Sequence, residues 1–184
     1  MFFIDAIRVY IREFKISDLY DVYEYCKDEF VGPNAGWPPH KNIDETRSVL
    51  LNIIHNKESF AIVEKTSNKV IGSIGLYNDN KREEPNCKMI GYVLNRNYWG
   101  KGIMQEAVLS LINFVFTKTQ IVLLSIYHFP SNLRSKRVIE KCGFLYEGTI
   151  RNATRLYNGA MVDNMCYSLT REEFMSWQSK DIHR

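Results

Sequence analysis

The sequence of 184 residues lacks the features that mark several classes of protein. Its formal net charge is only +3 and it contains no run of lysine or arginine, so a nucleic-acid partner is not expected. The longest apolar stretch, around Val108–Phe116, includes Ser110 and Asn113 and is far too short to span a membrane. Because the chain opens without a basic segment followed by a long apolar one, a secretory signal is not expected either.

Cysteine is also scarce, and the four cysteines are Cys26, Cys87, Cys142 and Cys166. They are widely spaced and include no pair with metal-binding spacing, so we expect reduced thiols in a cytoplasmic protein and no metal site. The remaining composition is typical of a globular protein, with 45% hydrophobic, 13% aromatic and 24% charged residues. Length and composition together predict one domain over residues 1–184.

Seven segments have the alternation, or the β-branched and aromatic content, of strands. In chain order they are Ile7–Glu13, Phe60–Glu64, Val70–Tyr77, Met89–Leu94, Ile121–Tyr127, Phe144–Ile150 and Met161–Leu169. Ser67-Asn68 predicts a tight turn, and therefore antiparallel pairing, between the second and third strands. Tyr157-Asn158-Gly159 predicts a hairpin turn between the last two.

Four helices are expected between these strands. They are a helix capped by Ser17-Asp18 that extends to about Glu29, a helix capped at or near Asp44, the segment from Ile103 to about Lys118, and Asn132–Cys142, which ends at Gly143. The segment Val31–Asn42 is rich in glycine and proline and predicts a loop. Because a helix connects Met89–Leu94 to Ile121–Tyr127, these two strands should be parallel. The pattern predicts an α/β domain.

A turn that contains two glycines, Trp99-Gly100-Lys101-Gly102, lies between the fourth strand and the third helix. The first N–H groups of a helix have no acceptor within it, and together with the helix dipole they can bind an anion such as a pyrophosphate. Glycine suits such a site because it has no Cβ to keep a phosphate away from the backbone. A plain strand-to-helix turn that only needs flexible residues would have the same local pattern.

Longer segments around this turn carry a family resemblance. Ile90–Leu94 and Tyr98–Ala107, read as IGYVL and YWGKGIMQEA, resemble motif A of the GNAT N-acetyltransferase superfamily. Asn132–Phe144, read as NLRSKRVIEKCGF, resembles motif B of the same superfamily, and Glu147-Gly148 after it is also typical. The match extends over about Arg8–Leu169, so the chain is identified as similar to GNAT proteins over nearly its whole length.

The resemblance implies the GNAT (acyl-CoA N-acyltransferase) fold, which is an α/β fold. Its mixed, mostly antiparallel sheet should have about seven strands and about four flanking helices, with a central parallel pair splayed apart for coenzyme A. It further implies that acetyl-CoA donates an acetyl group to a primary amine. Within the superfamily, the sequence is similar to the ribosomal-protein N-terminal acetyltransferase (RimJ/RimL-like) branch.

By the same resemblance, mainly backbone groups would hold the cofactor. The candidate cofactor-binding residues are Tyr92, Val93 and Leu94 for the pantetheine arm, Trp99, Gly100, Lys101, Gly102, Ile103 and Met104 for the pyrophosphate, and Asn132 and Lys136 from the fourth helix. Asn97 departs from motif A, which has Gln or Arg at this position. The backbone cradle does not depend on that side chain.

A second departure concerns the catalytic acid. Ile139 stands where many relatives have a tyrosine that protonates the departing thiolate. Ser135 matches the serine for which this role is proposed in the ribosomal-protein branch. Ser135 could equally be a capping or first-turn hydroxyl beside Asn132, and the two interpretations are compatible.

The acceptor must present a neutral amine. A protein α-amine has a pKa near ~7.8, so roughly a tenth is neutral at pH 7, whereas a lysine or polyamine amine near ~10.4 is almost wholly protonated. Lys88-Met89 stands where relatives often have a glutamate that could serve as base, and this favours the N-terminal α-amine of a protein, of the ribosomal Ser/Ala type, as acceptor. Glu83, Glu84 and Asp163 are alternative bases that could act through water.

Trp37 and Tyr157 are the candidate acceptor-binding residues, although Trp37 could instead pin its loop to the core. His40 is interpreted as a surface histidine in preference to a catalytic one. Two other functions stay open at this point, namely acetylation of a small-molecule amine (polyamine, amino sugar or antibiotic) and non-catalytic sensing of acyl-CoA. A homodimer would be compatible with the sequence, but no motif predicts one.

Overall fold

The computed structural model describes residues 2–181, and the alternating segments of the sequence form eight strands in one sheet. The strands are β1 Phe3–Asp5, β2 Val9–Glu13, β3 Ser59–Glu64, β4 Val70–Asn78, β5 Cys87–Leu94, β6 Leu123–His128, β7 Leu145–Arg155 and β8 Met161–Thr170. Their spatial order is β1-β2-β3-β4-β5-β6-β8-β7. All neighbouring strands are antiparallel except β5 and β6, which are parallel as their helical connection requires.

Five α-helices accompany the sheet. They are α1 Leu19–Cys26, α2 Ile43–Asn56, α3 Ile103–Lys118, α4 Leu133–Lys141 and α5 Arg171–Asp181. The cap of α2 is Asn42, whose Oδ1 accepts from the N–H of Glu45 at 2.9 Å, so the expected cap near Asp44 lies two residues earlier. Gly143, with φ of +79°, follows α4 in the left-handed conformation that ends many helices.

The expected α/β fold with its mixed sheet is confirmed, but two elements were not predicted. The strand β1 has three residues, too few to show an alternation. The helix α5 is mostly polar, and the clearest sign of its inner face is Phe174, which is buried and packs against Phe116 of α3 with ring centroids 5.4 Å apart.

Alternation along the strands divides the core between the two faces of the sheet. In β3, Ile62 packs in the cluster that contains the apolar side of α3, whereas Ala61 and Val63 pack in the cluster that contains Leu50 of α2 and parts of α1. The helices α3 and α4 therefore cover one face, and α1 and α2 cover β2 to β4 on the other.

The parallel strands β5 and β6 pair over only three positions, Cys87 with Leu123, Lys88 with Leu124 and Met89 with Ser125. Beyond Met89, β5 continues to pair with β4 as far as Leu94, but its other edge has no β6 partner. The two central strands therefore separate, as the resemblance predicted, and leave a gap through the sheet.

The described residues, 2–181, lack the features of a membrane-spanning helix and of a metal site. Within this range no helix combines the length and apolarity needed to cross a bilayer. The same residues contain no cluster of three or more His, Cys, Asp or Glu side chains arranged to hold a metal ion.

Candidate active site

The glycine turn joins β5 to α3 with two residues in the left-handed region. Gly100 has φ of +74° and Gly102 has φ of +73°, conformations that favour glycine. The N–H of Glu106 donates to the carbonyl of Gly102 at 3.1 Å, so the N–H groups of Ile103 and Met104 precede the first helical hydrogen bond. The start of α3 can therefore receive an anion through these amides.

Arg8, the residue before β2, holds this turn in place through hydrogen bonds. Its Nε lies 2.7 Å from Oε2 of Glu106, its backbone N–H donates to Oε1 at 2.6 Å, and its guanidinium donates to the carbonyl of Lys101 at 2.7 Å. Burial alone would raise the pKa of Glu106, but the hydrogen bonds from Arg8 lower it below its ordinary value. The role of Arg8 could not be predicted from the sequence, because Glu106 is 98 residues away in the chain.

A first cavity of about 360 Å³ opens beside the turn, between the end of β5 and α4; we call it the cofactor cavity. The side chains of Arg134, Arg137 and Lys141 line it, and no Asp or Glu does so among the lining residues. These three cations recur at intervals of three and four along α4, so one helix face presents them together. That spacing can be seen in the sequence and is the signal from which these cations could be predicted.

Two expected lysines do not line this cavity. Lys101 places its Nζ 5.3 Å from the centre of the Tyr98 ring, and Lys136 places its Nζ 3.7 Å from Oε1 of Glu140.

The indole N–H of Trp99 donates to the carbonyl of Leu94 at 2.8 Å, so this carbonyl already has a hydrogen-bond partner within the protein. Trp99 also orients one of the cations. The Arg134 guanidinium lies 4.9 Å from the centre of the Trp99 ring, a cation–π contact. Trp99, Gly100, Gly102, Ile103 and Met104 all line the cofactor cavity, so the predicted turn residues other than Lys101 face one space.

A second cavity of about 470 Å³ lies on the opposite face of β5, between α1, α2, the loop 31–42 and β6; we call it the acceptor cavity. The two cavities meet at the gap in the sheet, and both are lined by Asn34, Ala35, Tyr92, Val93, Asn132 and Ser135. Molecules in the two cavities could thus touch through the gap.

Hydrogen bonds link the side chains of Asn132, Ser135 and Tyr92 to their neighbours at this junction. Oδ1 of Asn132 accepts from the N–H of Ser135 at 3.1 Å as the cap of α4, and its Nδ2 donates to the carbonyl of Asn34 at 3.2 Å. The Tyr92 hydroxyl lies 2.9 Å from Oγ of Ser135 and 3.3 Å from the carbonyl oxygen of the same residue, to which it can also donate. Burial raises the pKa of Tyr92 well above its ordinary value, although the Ser135 contact opposes this, so the tyrosine is protonated and can donate to Ser135.

The lining residues of the acceptor cavity include two histidines, His40 and His128, but no Asp, Glu, Lys or Arg. The expected alternative bases Glu83, Glu84 and Asp163 are thus not among them. Tyr157 is 51% exposed at the predicted hairpin turn and lines none of the cavities described, so its contact with an acceptor stays a prediction.

Trp37 lines the acceptor cavity and also holds its loop. Its ring lies directly over Gly32, where a Cβ would come within 2.4 Å of the indole, so both expectations for Trp37 are compatible with the structure. His40 is half-buried in the same wall, with Nδ1 2.8 Å from Oγ1 of Thr46. Its interpretation as a surface histidine was wrong, because α1 and α2 pack around the end of the loop.

Comparisons with known proteins agree with this geometry. The family model described as an acetyltransferase (GNAT) domain matches residues 8–145. An uncharacterised N-acetyltransferase, p20 of Bacillus licheniformis, is 27% identical over 91% of this chain and 95% of its own length. The [ribosomal protein uS5]-alanine N-acetyltransferase of Escherichia coli is 24% identical over 83% of this chain and 75% of its own.

The fold comparison extends the agreement to nearly the whole chain. A crystal structure of a GNAT-family acetyltransferase from Bacillus anthracis has a TM-score of 0.85 and 25% identity, and covers 94% of this chain and 100% of that one. The family model spans the glycine turn and α4, which together form the cofactor cavity. The chain therefore belongs to the GNAT family and is an acetyl-CoA-dependent N-acetyltransferase.

Proposed function

We propose that the protein acetylates the N-terminal α-amine of another protein, of the ribosomal Ser/Ala type, by direct transfer from acetyl-CoA. The observation that carries this proposal is the junction, at Tyr92, Val93 and Ser135, of a cationic cavity with one whose lining includes no Asp, Glu, Lys or Arg. With acetyl-CoA in the first and the amine in the second, the thioester and its nucleophile would meet in one complex.

The residues of the cofactor cavity suit coenzyme A. Its pyrophosphate would lie against the free amides at the start of α3, where Gly100 and Gly102 allow close approach. Arg134 and Arg137 supply charge for the phosphates, a larger contribution than we expect from Lys101 or Lys136. The pantetheine arm would enter the gap along the unpaired edge of β5, where backbone groups are free to hold it.

Ser135 is the proposed donor of a proton to the departing sulfur. Its Oγ lies at the junction of the two cavities and is 2.9 Å from the Tyr92 hydroxyl. When Tyr92 donates to Oγ, the Ser135 hydrogen is free for the sulfur, and Tyr92 acts as a positioning residue. The neighbouring Ile139 is fully buried in the core, so it cannot take part.

The state of the cysteines supports direct transfer. An acetyl-cysteine intermediate requires a reactive thiolate. Cys26 lines the acceptor cavity, but burial raises its pKa to about 12, so it stays a neutral thiol. Burial likewise raises the pKa of Cys142 to about 12 and raises those of Cys87 and Cys166.

The lining of the acceptor cavity supports an α-amine over a polycation. A polyamine or aminoglycoside keeps several positive charges, and such ligands are bound by carboxylates, which this cavity lacks. An N-terminal residue has one titratable amine and a neutral peptide behind it, with Trp37 as an apolar wall. The similarity to the uS5-alanine N-acetyltransferase supports the same acceptor class.

A panel of amines tests the acceptor class directly. We would measure the release of CoA thiol with peptides that begin with Ser or Ala, with the same peptides N-terminally blocked but containing lysine, with spermidine and with an aminoglycoside. At pH 7 we expect kcat/KM for the free peptides to exceed that for the lysine peptides and spermidine by on the order of 10²-fold, from the neutral fractions alone. Turnover of spermidine without the peptides would contradict the proposal, and CoA binding without any turnover would indicate a sensor.

Removal of the α4 cations should weaken acetyl-CoA binding. In Arg134→Gln and Arg137→Gln we expect KM for acetyl-CoA to rise about tenfold each, because a charge-assisted hydrogen bond is lost, with kcat little changed. Arg47→Gln, on the exposed side of α2, is the matched control. An unchanged KM in both α4 variants would remove these arginines from the cofactor site.

Replacement of Ser135 tests the proton donor. Ser135→Ala should lower kcat by about 10²-fold while KM for acetyl-CoA stays within about twofold, as for loss of a general acid. Ser131→Ala, an exposed serine just before α4, should retain full activity. If Ser135→Ala were fully active, the serine would be only a first-turn hydroxyl of the helix.

A further inference from the structure

The acceptor cavity needs a group that takes a proton from the amine, yet no carboxylate lines it. Two histidines do, His40 and His128. His128 is 5% exposed and both of its ring nitrogens are engaged, Nδ1 at 2.8 Å from the carbonyl of Phe129 and Nε2 at 3.4 Å from the hydroxyl of Tyr167. Of the two histidines, His40 therefore has a ring nitrogen, Nε2, that no hydrogen bond engages.

The hydrogen bonds around His40 are compatible with a proton on Nδ1. The Thr46 hydroxyl donates to the carbonyl of Asn42 at 3.5 Å, so it is free to accept from Nδ1–H of His40 at 2.8 Å. With the proton on Nδ1, the basic lone pair is on Nε2. Nε2 has no hydrogen-bond partner among the groups that the structure describes. Every buried side-chain nitrogen or oxygen among those groups has a partner, so Nε2 is not buried and is accessible.

The backbone around His40 holds the ring in place. Its N–H donates to the carbonyl of Cys26, the last residue of α1, at 2.9 Å. The ring packs against Trp37 with centroids 5.3 Å apart, and Trp37 is itself seated over Gly32. The imidazole is thus fixed in the cavity wall through contacts with both helices and with its own loop.

We propose that Nε2 of His40 is the base of this acetyltransferase, accepting the proton of the amine directly or through one water. In the step, the amine nitrogen forms the C–N bond with the thioester carbonyl carbon and loses a proton to Nε2, while the C–S bond breaks. The departing sulfur takes a proton from Ser135, and the products are the amide and free CoA. His40 then releases its proton to solvent and Ser135 takes one from solvent, which restores the enzyme.

The charges around His40 suit this role, which rests on the direct transfer proposed above. Burial lowers the pKa of His40 below its ordinary value, and Glu45 of α2 opposes this. The thiol of Cys26 on α1 is neutral because burial raises its pKa to about 12. His40 is therefore unprotonated at neutral pH. As the pH drops through its lowered pKa, loss of this base should add to the decline in rate that protonation of the amine itself causes.

The kinetic test uses His40→Asn, because the asparagine amide can still donate to Thr46 but has no basic nitrogen. We expect kcat/KM for the amine to fall by about 10²-fold at pH 7.5 and added imidazole to restore part of the rate. The part of the acidic limb that His40 causes should disappear, which leaves only the decline caused by protonation of the amine. KM for acetyl-CoA should not change. His55→Asn, an exposed histidine of α2, should behave as the unaltered enzyme.

A wild-type rate and an unchanged acidic limb in His40→Asn would overturn the proposal. Long-range ¹⁵N–¹H NMR of the imidazoles gives an answer that needs no acceptor: the Nδ1–H tautomer is expected at pH 7.5, and an Nε2–H tautomer would also overturn it. If the enzyme turns over spermidine instead of peptides, the α-amine proposal fails, and the same variants tested with spermidine decide the role of His40 separately.

Discussion

The short pairing between β5 and β6 is the constraint on which the site depends. After Met89 and Ser125 the strands separate, and the remaining edge of β5 presents backbone groups that the sheet does not satisfy. The gap lets a cavity on each face of the sheet reach the other, and Tyr92 and Ser135 lie where they meet. A sheet that stayed paired to Leu94 would separate cofactor and acceptor.

Charge is divided between the two sides of this gap. The cofactor cavity gathers Arg134, Arg137 and Lys141 on one face of α4, whereas the acceptor cavity has aromatic walls and no Asp, Glu, Lys or Arg in its lining. In our proposals, proton transfer is divided between the two sides in the same way. His40 takes a proton from the amine on the acceptor side, and Ser135 donates a proton to the departing sulfur at the junction. Binding and proton transfer are thus assigned to different residues.

Features that depend on local sequence could be predicted, namely the glycine turn, the helix after it and the cap of α4. The splayed strands came from resemblance, since no periodicity reveals where two distant strands stop pairing. Contacts between distant segments were missed, such as Arg8 with Glu106 and Tyr92 with Ser135, which are 98 and 43 residues apart. His40 was misjudged because its burial depends on how α1 and α2 pack around its loop.

The central claim, that amine and thioester meet across this gap in one complex, is tested most directly by initial-rate kinetics. Acetyl-CoA would be varied at several fixed concentrations of the best acceptor, and the reciprocal rates plotted against reciprocal acetyl-CoA concentration. Direct transfer predicts lines that intersect, because both substrates must be bound before either product leaves. Parallel lines would contradict the account, since they would require an acetylated enzyme that forms before the amine binds.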